Sequence, residues 1–247
     1  GNCLFRVDIH RHAAAIVGDF AAAVGMQHHI DALRMAGERF VDRVVDHFLR
    51  QMADSGPLQP IYGITGKRNL EEEIVAELRG YDGIGPVRIG NAAYIQRQHD
   101  VHGEMVLCLE TILTDPRVVW EDSSLAPLLV HLVEEAMAAS LVEDTGLWEY
   151  RTLPRHYTFS KAMCWVAAHR GARLAEFFGM SDRARQWKAW ADAERERILA
   201  RAYNHELGFF TQALDGQYPD ASNLLLPQIG LVDPLDAVDP AARTGRH

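Results

Sequence analysis

Apolar positions recur every three or four residues over 30–52, where Leu33, Ala36, Phe40, Val41, Val44, Val45, Phe48, Leu49 and Met52 fall on one helical face. That spacing predicts an amphipathic helix with one buried side. Ser55-Gly56-Pro57 ends it, a loop follows over 61–67, and 70–78 reads as a short acidic helix. A loop carrying Gly80, Gly83, Gly85 and Gly90 then leads into a predicted helix over 93–113. Further helices are predicted over 125–140, 158–178, 183–203 and 221–229. In 158–178 the residues Ala162, Val166, Arg170, Leu174 and Phe177 share a face, and in 183–203 Trp187, Trp190, Ala191 and Ile198 do. Trp165 and Trp187 are expected in the core. Only 208–214 reads as extended chain.

Helices thus alternate with long Gly-bearing loops, without a fixed-period sequence repeat that would indicate a solenoid. Loops of this length in a helical protein carry binding or catalytic groups more often than they merely connect. The expectation is an all-α toroid with its site on one rim, one domain over 1–247, with 1–30 and 236–247 outside the pattern.

Composition narrows the function classes. A chain of 247 residues with 48% hydrophobic content has material for a sizeable core. A net charge of −9 without any Lys/Arg block argues against nucleic acid or an anionic membrane as partner. No apolar run reaches the length of a membrane span, and no signal pattern opens the sequence. Cys3, Cys108 and Cys164 are odd in number and widely spaced, which reads as a reduced, cytoplasmic compartment. His99 and His102 lie near Asp100 and Glu104, but a zinc site wants at least three well-placed ligands, so neither metal nor cofactor is expected. His28, His29 and His169 read as surface or loop positions.

The candidate chemistry lies between two predicted helices, in Gly146-Leu147-Trp148-Glu149-Tyr150-Arg151. A carboxylate flanked by aromatic rings meets an apolar wall that disfavours its charged form, as a general acid requires. Cleaving a glycosidic bond needs such an acid, together with aromatic faces against the sugar. The structural alternative is that Glu149 caps the next helix or pairs with Arg151 or Arg155. Arg88 and Asn91 offer several hydrogen bonds to sugar hydroxyls, or else satisfy loop carbonyls and cap the following helix.

Five collinear segments resemble glycoside hydrolase family 15, the glucoamylase and bacterial trehalase family. They are Leu58-Gln59-Pro60-Ile61-Tyr62-Gly63-Ile64, Gly85-Pro86-Val87-Arg88-Ile89-Gly90-Asn91-Ala92-Ala93, Gly146-Leu147-Trp148-Glu149, Thr158-Phe159-Ser160-Lys161-Ala162-Met163-Cys164-Trp165-Val166-Ala167, and Asp220-Ala221-Ser222-Asn223-Leu224-Leu225-Leu226. The resemblance implies an (α/α)6 barrel of helical hairpins. It also implies an inverting exo-glycosidase that releases glucose from an α-linked glucan, oligosaccharide or trehalose. Glu149 falls on the family's general acid, and Leu147 and Trp148 on the wall of its glucose subsite.

Two parts of the family pattern are not matched. No segment resembles the general-base motif, which lies late in the barrel, so the base is expected outside this chain; Asp220 belongs to a different motif. At the N-terminus the family's W-x-R-D reads Phe5-Arg6-Val7-Asp8, which makes Arg6 and Asp8 weak candidates for holding sugar hydroxyls, against a frayed terminus. About seven or eight helices are readable, fewer than six hairpins require, so an incomplete toroid is expected. Its open edge would expose apolar faces, and homo-oligomerisation across that edge would be one remedy. The alternative function is a catalytically incomplete fragment or sugar-binding pseudoenzyme of the same fold.

Overall fold

The computed structural model describes residues 57–63, 66–114, 125–151 and 154–233. The predicted helix over 30–52, His28, His29, Cys3, Arg6 and Asp8 lie outside them. The described parts of Pro57–Glu110 and of 121–233 belong to one compact unit.

Four α-helices dominate it: α1 (Asp100–Leu113), α2 (Leu125–Ala139), α3 (Thr158–Phe177) and α4 (Ser181–Ala202). Four two-residue strands form two antiparallel ribbons, β1 (Glu73–Ile74) with β2 (Arg88–Ile89), and β3 (Tyr203–Asn204) with β4 (Phe209–Phe210). The expected all-α class holds, and helical hairpins build it: α3 and α4 are joined only by Phe178, Gly179 and Met180 and pack along each other. The predicted bounds over 125–140, 158–178 and 183–203 agree with α2, α3 and α4 to within two residues.

Helix α3 is central, because residues on every side of it are buried, from Thr158 through Ala168 and again at Gly171, Ala172, Leu174 and Ala175. A helix buried all round must carry small residues where others cross it. Its crossing with α2 is at Gly171, where a Cβ would collide with Val133 Cγ2 and meet the Trp187 ring of α4 at 3.5 Å. The crossing with α1 falls at Gly103, where a Cβ would collide with the Met163 carbonyl oxygen. Around these contacts Leu129, Leu132, Val133, Val166, Trp187 and Ile198 are fully enclosed, each aliphatic side chain contributing about 1.5–3 kcal/mol. Trp165 and Trp187 are core residues, as expected.

Several expectations need correction. Residues 70–78 are not a helix: Val75 N–H bonds to Val87 O (2.9 Å), Asn91 N–H to Leu70 O (2.8 Å), and β1 pairs with β2. Cross-strand pairing claims the backbone groups that a helix would use, and so overrides local propensity. The helix predicted over 93–113 starts only at Asp100, preceded by a 3-10 turn at Ala92–Ile95 and an extended Gln96. The helix predicted over 221–229 is a 3-10 turn, Ala221–Leu225. Extended chain is not confined to 208–214. Phe177 does not share the buried face; as the last residue of α3 it is 64% exposed, edge-on to Phe178 at 5.3 Å. His169 is neither surface nor loop: it is half-buried in α3 and stacks on Trp165 at 4.7 Å.

Candidate active site

The connection from α2 to α3 spans 140–157. Its base is closed by reciprocal backbone bonds, Asp144 N–H to Arg155 O (3.0 Å) and Arg155 N–H to Asp144 O (2.9 Å). The Asp144 side chain turns inward, fully buried, and accepts His99 N–H at 3.0 Å. Thr145 donates to the Arg97 carbonyl from its N–H (2.9 Å) and from its hydroxyl (2.8 Å). The stretch 97–99, which precedes α1, therefore grips the foot of the loop.

Above that foot the chain makes a tight turn. Gly146 has φ +69 and faces the Tyr157 ring so closely that a Cβ would sit 2.9 Å from it; only glycine meets both demands. Glu149 N–H donates to Gly146 O (3.2 Å), and Tyr150 N–H to Thr145 O (3.3 Å). Glu149 itself has φ +56, the left-handed region that a non-glycine residue rarely adopts outside turns and functional sites. Its carbonyl accepts Gln96 Nε2 at 3.3 Å. Its side chain is exposed and, among the described residues, has no hydrogen-bond or ion-pair partner.

The flanking rings do not form the expected apolar wall around Glu149. Trp148 is 47% exposed and its indole N–H donates to Asp220, 2.9 Å from either carboxylate oxygen. Tyr150 stacks on Tyr157 at 5.2 Å, and its Oη accepts Gln212 Nε2 at 2.5 Å. Both rings carry a polar atom that seeks a partner, and this decides where they lie. Nor does Glu149 cap α3, whose N-cap is Tyr157. Arg151 pairs instead with Glu72 Oε1 at 3.2 Å.

Glu72 also accepts Ala92 N–H at 3.3 Å, and so ties the Arg88 loop to the Glu149 turn. That backbone bond, assisted by Arg151 and Arg88, holds its carboxyl below the usual range against the opposing effect of burial. Arg88 lies exposed in β2. Asn91 caps the 3-10 turn, its Oδ1 accepting Ala93 N–H at 2.9 Å, as the structural alternative required. Leu147 is half-buried in the turn. Leu147, Trp148 and Glu149 thus share one turn, and the loop that carries Arg88 and Asn91 is joined to it through Glu72. Arg6 and Asp8 lie outside the described residues.

Sequence placed Asp220 in a family motif without giving it a role, and did not single out its partner Gln212. Asp220 accepts Ser222 N–H (2.8 Å), Ser222 Oγ (2.6 Å), Gln212 Nε2 (3.2 Å) and the Trp148 indole. Burial raises its carboxyl, but these donors outweigh burial and keep it below the usual range. Lys161, a lone cation inside an apolar run, is fully buried: Nζ donates to Ala139 O (3.2 Å) and Val142 O, at the end of α2, and lies 3.4 Å from His99 Nδ1. Burial lowers the pKa of Lys161 and brings His99 down to about 3, so the imidazole stays neutral and can accept. Burial likewise pushes Asp100 up to about 8, with Glu104 adding to it, and raises the Cys164 thiol.

The family model for glycosyl hydrolases family 15 matches residues 27–244. A trehalase from Mycolicibacterium smegmatis is 42% identical over 197 residues, covering 75% of this chain and 28% of the relative. A trehalase from Mycobacterium tuberculosis is 42% identical over 208 residues, covering 79% and 30%, and one from Thermoplasma volcanium is 30% identical over 211 residues, covering 82% and 32%. The chain therefore spans under a third of the length of these relatives. No solved structure matches it. Among the described residues no helix is long and apolar enough to cross a membrane.

Proposed function

Because the chain belongs to glycosyl hydrolases family 15, we propose that it is the part of a glycoside hydrolase that carries the proton donor, Glu149, and acts on trehalose or a similar α-linked glucoside. The observation that carries this reading is the Glu149 turn: a non-glycine residue held left-handed, pinned from both sides, with a carboxyl that engages no described neighbour. In the protonated form that carboxyl gives its proton to the glycosidic oxygen as the C1–O bond breaks. Water attacks C1 from the opposite ring face and loses its proton to a second carboxylate, typically about 6.5–9.5 Å from the first, so the configuration inverts.

Neither carboxylate bonded to a side chain of the turn suits the second role. Asp220 is saturated by donors and Glu72 is occupied by Ala92 and Arg151. We assign the base to the part of the relatives' length that the match does not span. Leu147 and Trp148 line the glucose subsite in this reading. Arg88 and the Nδ2 of Asn91, whose Oδ1 is already used in capping, face sugar hydroxyls, and Arg6 and Asp8 are further hydroxyl ligands. The second reading, a chain that binds sugar without cleaving it, draws on the same saturation of Asp220 and Glu72.

Glucose release from trehalose, maltose and longer α-glucans separates the two. In a protein that also supplies the base, wild type is expected to cleave at least one of them, with Glu149→Gln down by about 1,000-fold at unchanged thermal stability, whereas robust cleavage by these 247 residues alone would overturn the assignment of the base. Inversion predicts one α- and one β-glucose as the first products from trehalose, read by proton NMR. Binding without release would favour the second reading, and a Glu149→Gln variant as active as wild type would remove Glu149 as the acid.

A further inference from the structure

We propose that Gln212 and Asp220 act as one clamp that fixes both neighbours of Glu149 and thereby sets the direction in which its side chain leaves the backbone. This rests on the reading of Glu149 as proton donor. The Gln212 amide has two N–H bonds. One goes to Tyr150 Oη at 2.5 Å and the other to Asp220 Oδ2 at 3.2 Å. Asp220 in turn takes the Trp148 indole N–H. The residues immediately before and after Glu149 are therefore tied to the same pair of side chains, which lie 62 and 72 residues further along the chain.

The clamp is rooted in the core. Gln212 O accepts the N–H of Thr158, the first residue of α3, at 2.8 Å, and Gln212 N–H donates to Tyr218 O at 2.7 Å. Asp220 caps the Ala221–Leu225 turn, where Asn223 Nδ2 donates to the carbonyls of Phe210 and Thr211 at 3.0 Å each. Left-handed backbone at a non-glycine residue persists only where its surroundings over-determine it. Bonds to Gly146 and Gln96 hold the Glu149 backbone itself. With Trp148 and Tyr150 also fixed, the freedom left to Glu149 is in its own side-chain torsions. Gln212 and Asp220 are positioning residues, acting through the turn and not on the substrate.

Asp220→Ala removes the acceptor, whereas Asp220→Asn keeps one oxygen for the indole and the cap while the Gln212 amide turns over to match it. Both variants are compared with wild type, each in a protein that also supplies the base, after circular dichroism confirms folding. The first readout is solvent exchange of the Trp148 indole proton, identified by its loss in Trp148→Phe. It is expected to be at least about 10-fold faster in Asp220→Ala and near wild type in Asp220→Asn. The second is calorimetric affinity for the glucose-shaped cation 1-deoxynojirimycin, with glucose release from trehalose alongside. Asp220→Ala is expected to lose about 10–100-fold, and Asp220→Asn to recover most of it.

Unchanged indole exchange in Asp220→Ala overturns the clamp. Faster exchange with unchanged binding and turnover overturns its positioning role. If wild type neither binds nor cleaves, or Glu149→Gln matches it in both, the proton-donor reading fails and takes the positioning role with it, while indole exchange still reports on the clamp separately.

Discussion

The ionisable groups packed inside the unit and the one at the tip of the α2–α3 connection meet opposite conditions. Lys161, His99, Asp100 and Asp144 are buried, and their protonation is pushed toward the neutral form. Lys161 has an acceptor for each of its three N–H bonds. Glu149 is exposed and engages no described partner; it shares a left-handed backbone with Asp82 and Asp215, and its place in the family motif sets it apart. Strongly perturbed protonation is often taken as a guide to catalytic groups. In this unit it marks the mortar between helices and passes over Glu149.

The largest expected effect breaks the buried side of that contrast. Lys161→Met keeps an unbranched chain of similar length but leaves the Ala139 and Val142 carbonyls without their donor and His99 Nδ1 without its neighbour. Urea unfolding should show a loss of about 2–4 kcal/mol. A loss below about 0.5 kcal/mol would mean that Lys161 does not hold the end of α2.

Next comes pH. The folded His99 holds its proton less tightly than the unfolded chain, with a pKa of about 3 against 6.5, so stability rises with pH across that window. The folded Asp100 holds its proton more tightly, about 8 against 3.8, so it contributes stability that is full at low pH and is lost as pH rises to about 8. The two slopes cancel between about pH 4 and 6.5. What remains is a fall from about 6.5 to 8, of at most about 1.4 kcal/mol per pH unit. Denaturant midpoints for Asp100→Asn should decline less steeply than wild type over that upper window; a decline equal to wild type would place its origin elsewhere.

The smallest effect concerns the exposed side. Glu149→Gly relieves left-handed strain of about 1 kcal/mol but gives the unfolded chain more freedom, for a net change within about 0.5 kcal/mol of zero. The melting temperature should barely move while glucose release disappears. A clear drop in stability would show that the Glu149 side chain has a structural role.

The helices of this unit were largely legible. Periodicity located α2, α3 and α4 because each has a long sequence-local pattern. It failed at 70–78, where Leu70 and Val75 bond to residues in 87–91, and at 93–99, where capping by Asn91 gives only a 3-10 turn. Motif resemblance named Glu149, Trp148 and the Arg88 loop as candidates. It could not find Glu72, Gln96 or Gln212, whose bonds to the turn span 79, 53 and 62 residues. A glutamine whose significance lies in what it touches carries no mark of its own along the chain. The Lys161 cap did have a signal, since one cation amid Phe159, Ala162, Met163 and Trp165 must find acceptors or lose its charge.

Gly103 gives the site its gauge. Where α1 crosses α3, the Met163 carbonyl occupies the space a side chain would need, so the two backbones rest on one another without an intervening spacer. The stretch from Gln96 to His99 runs straight into α1 and carries the bonds to Glu149, Thr145 and Asp144. Any added methyl at position 103 works as a wedge near the fulcrum of a lever whose far arm bears the turn. A hydrogen atom in place of a methyl group, at a helix crossing remote from the turn in sequence, thereby helps set the tolerance to which Glu149 is held.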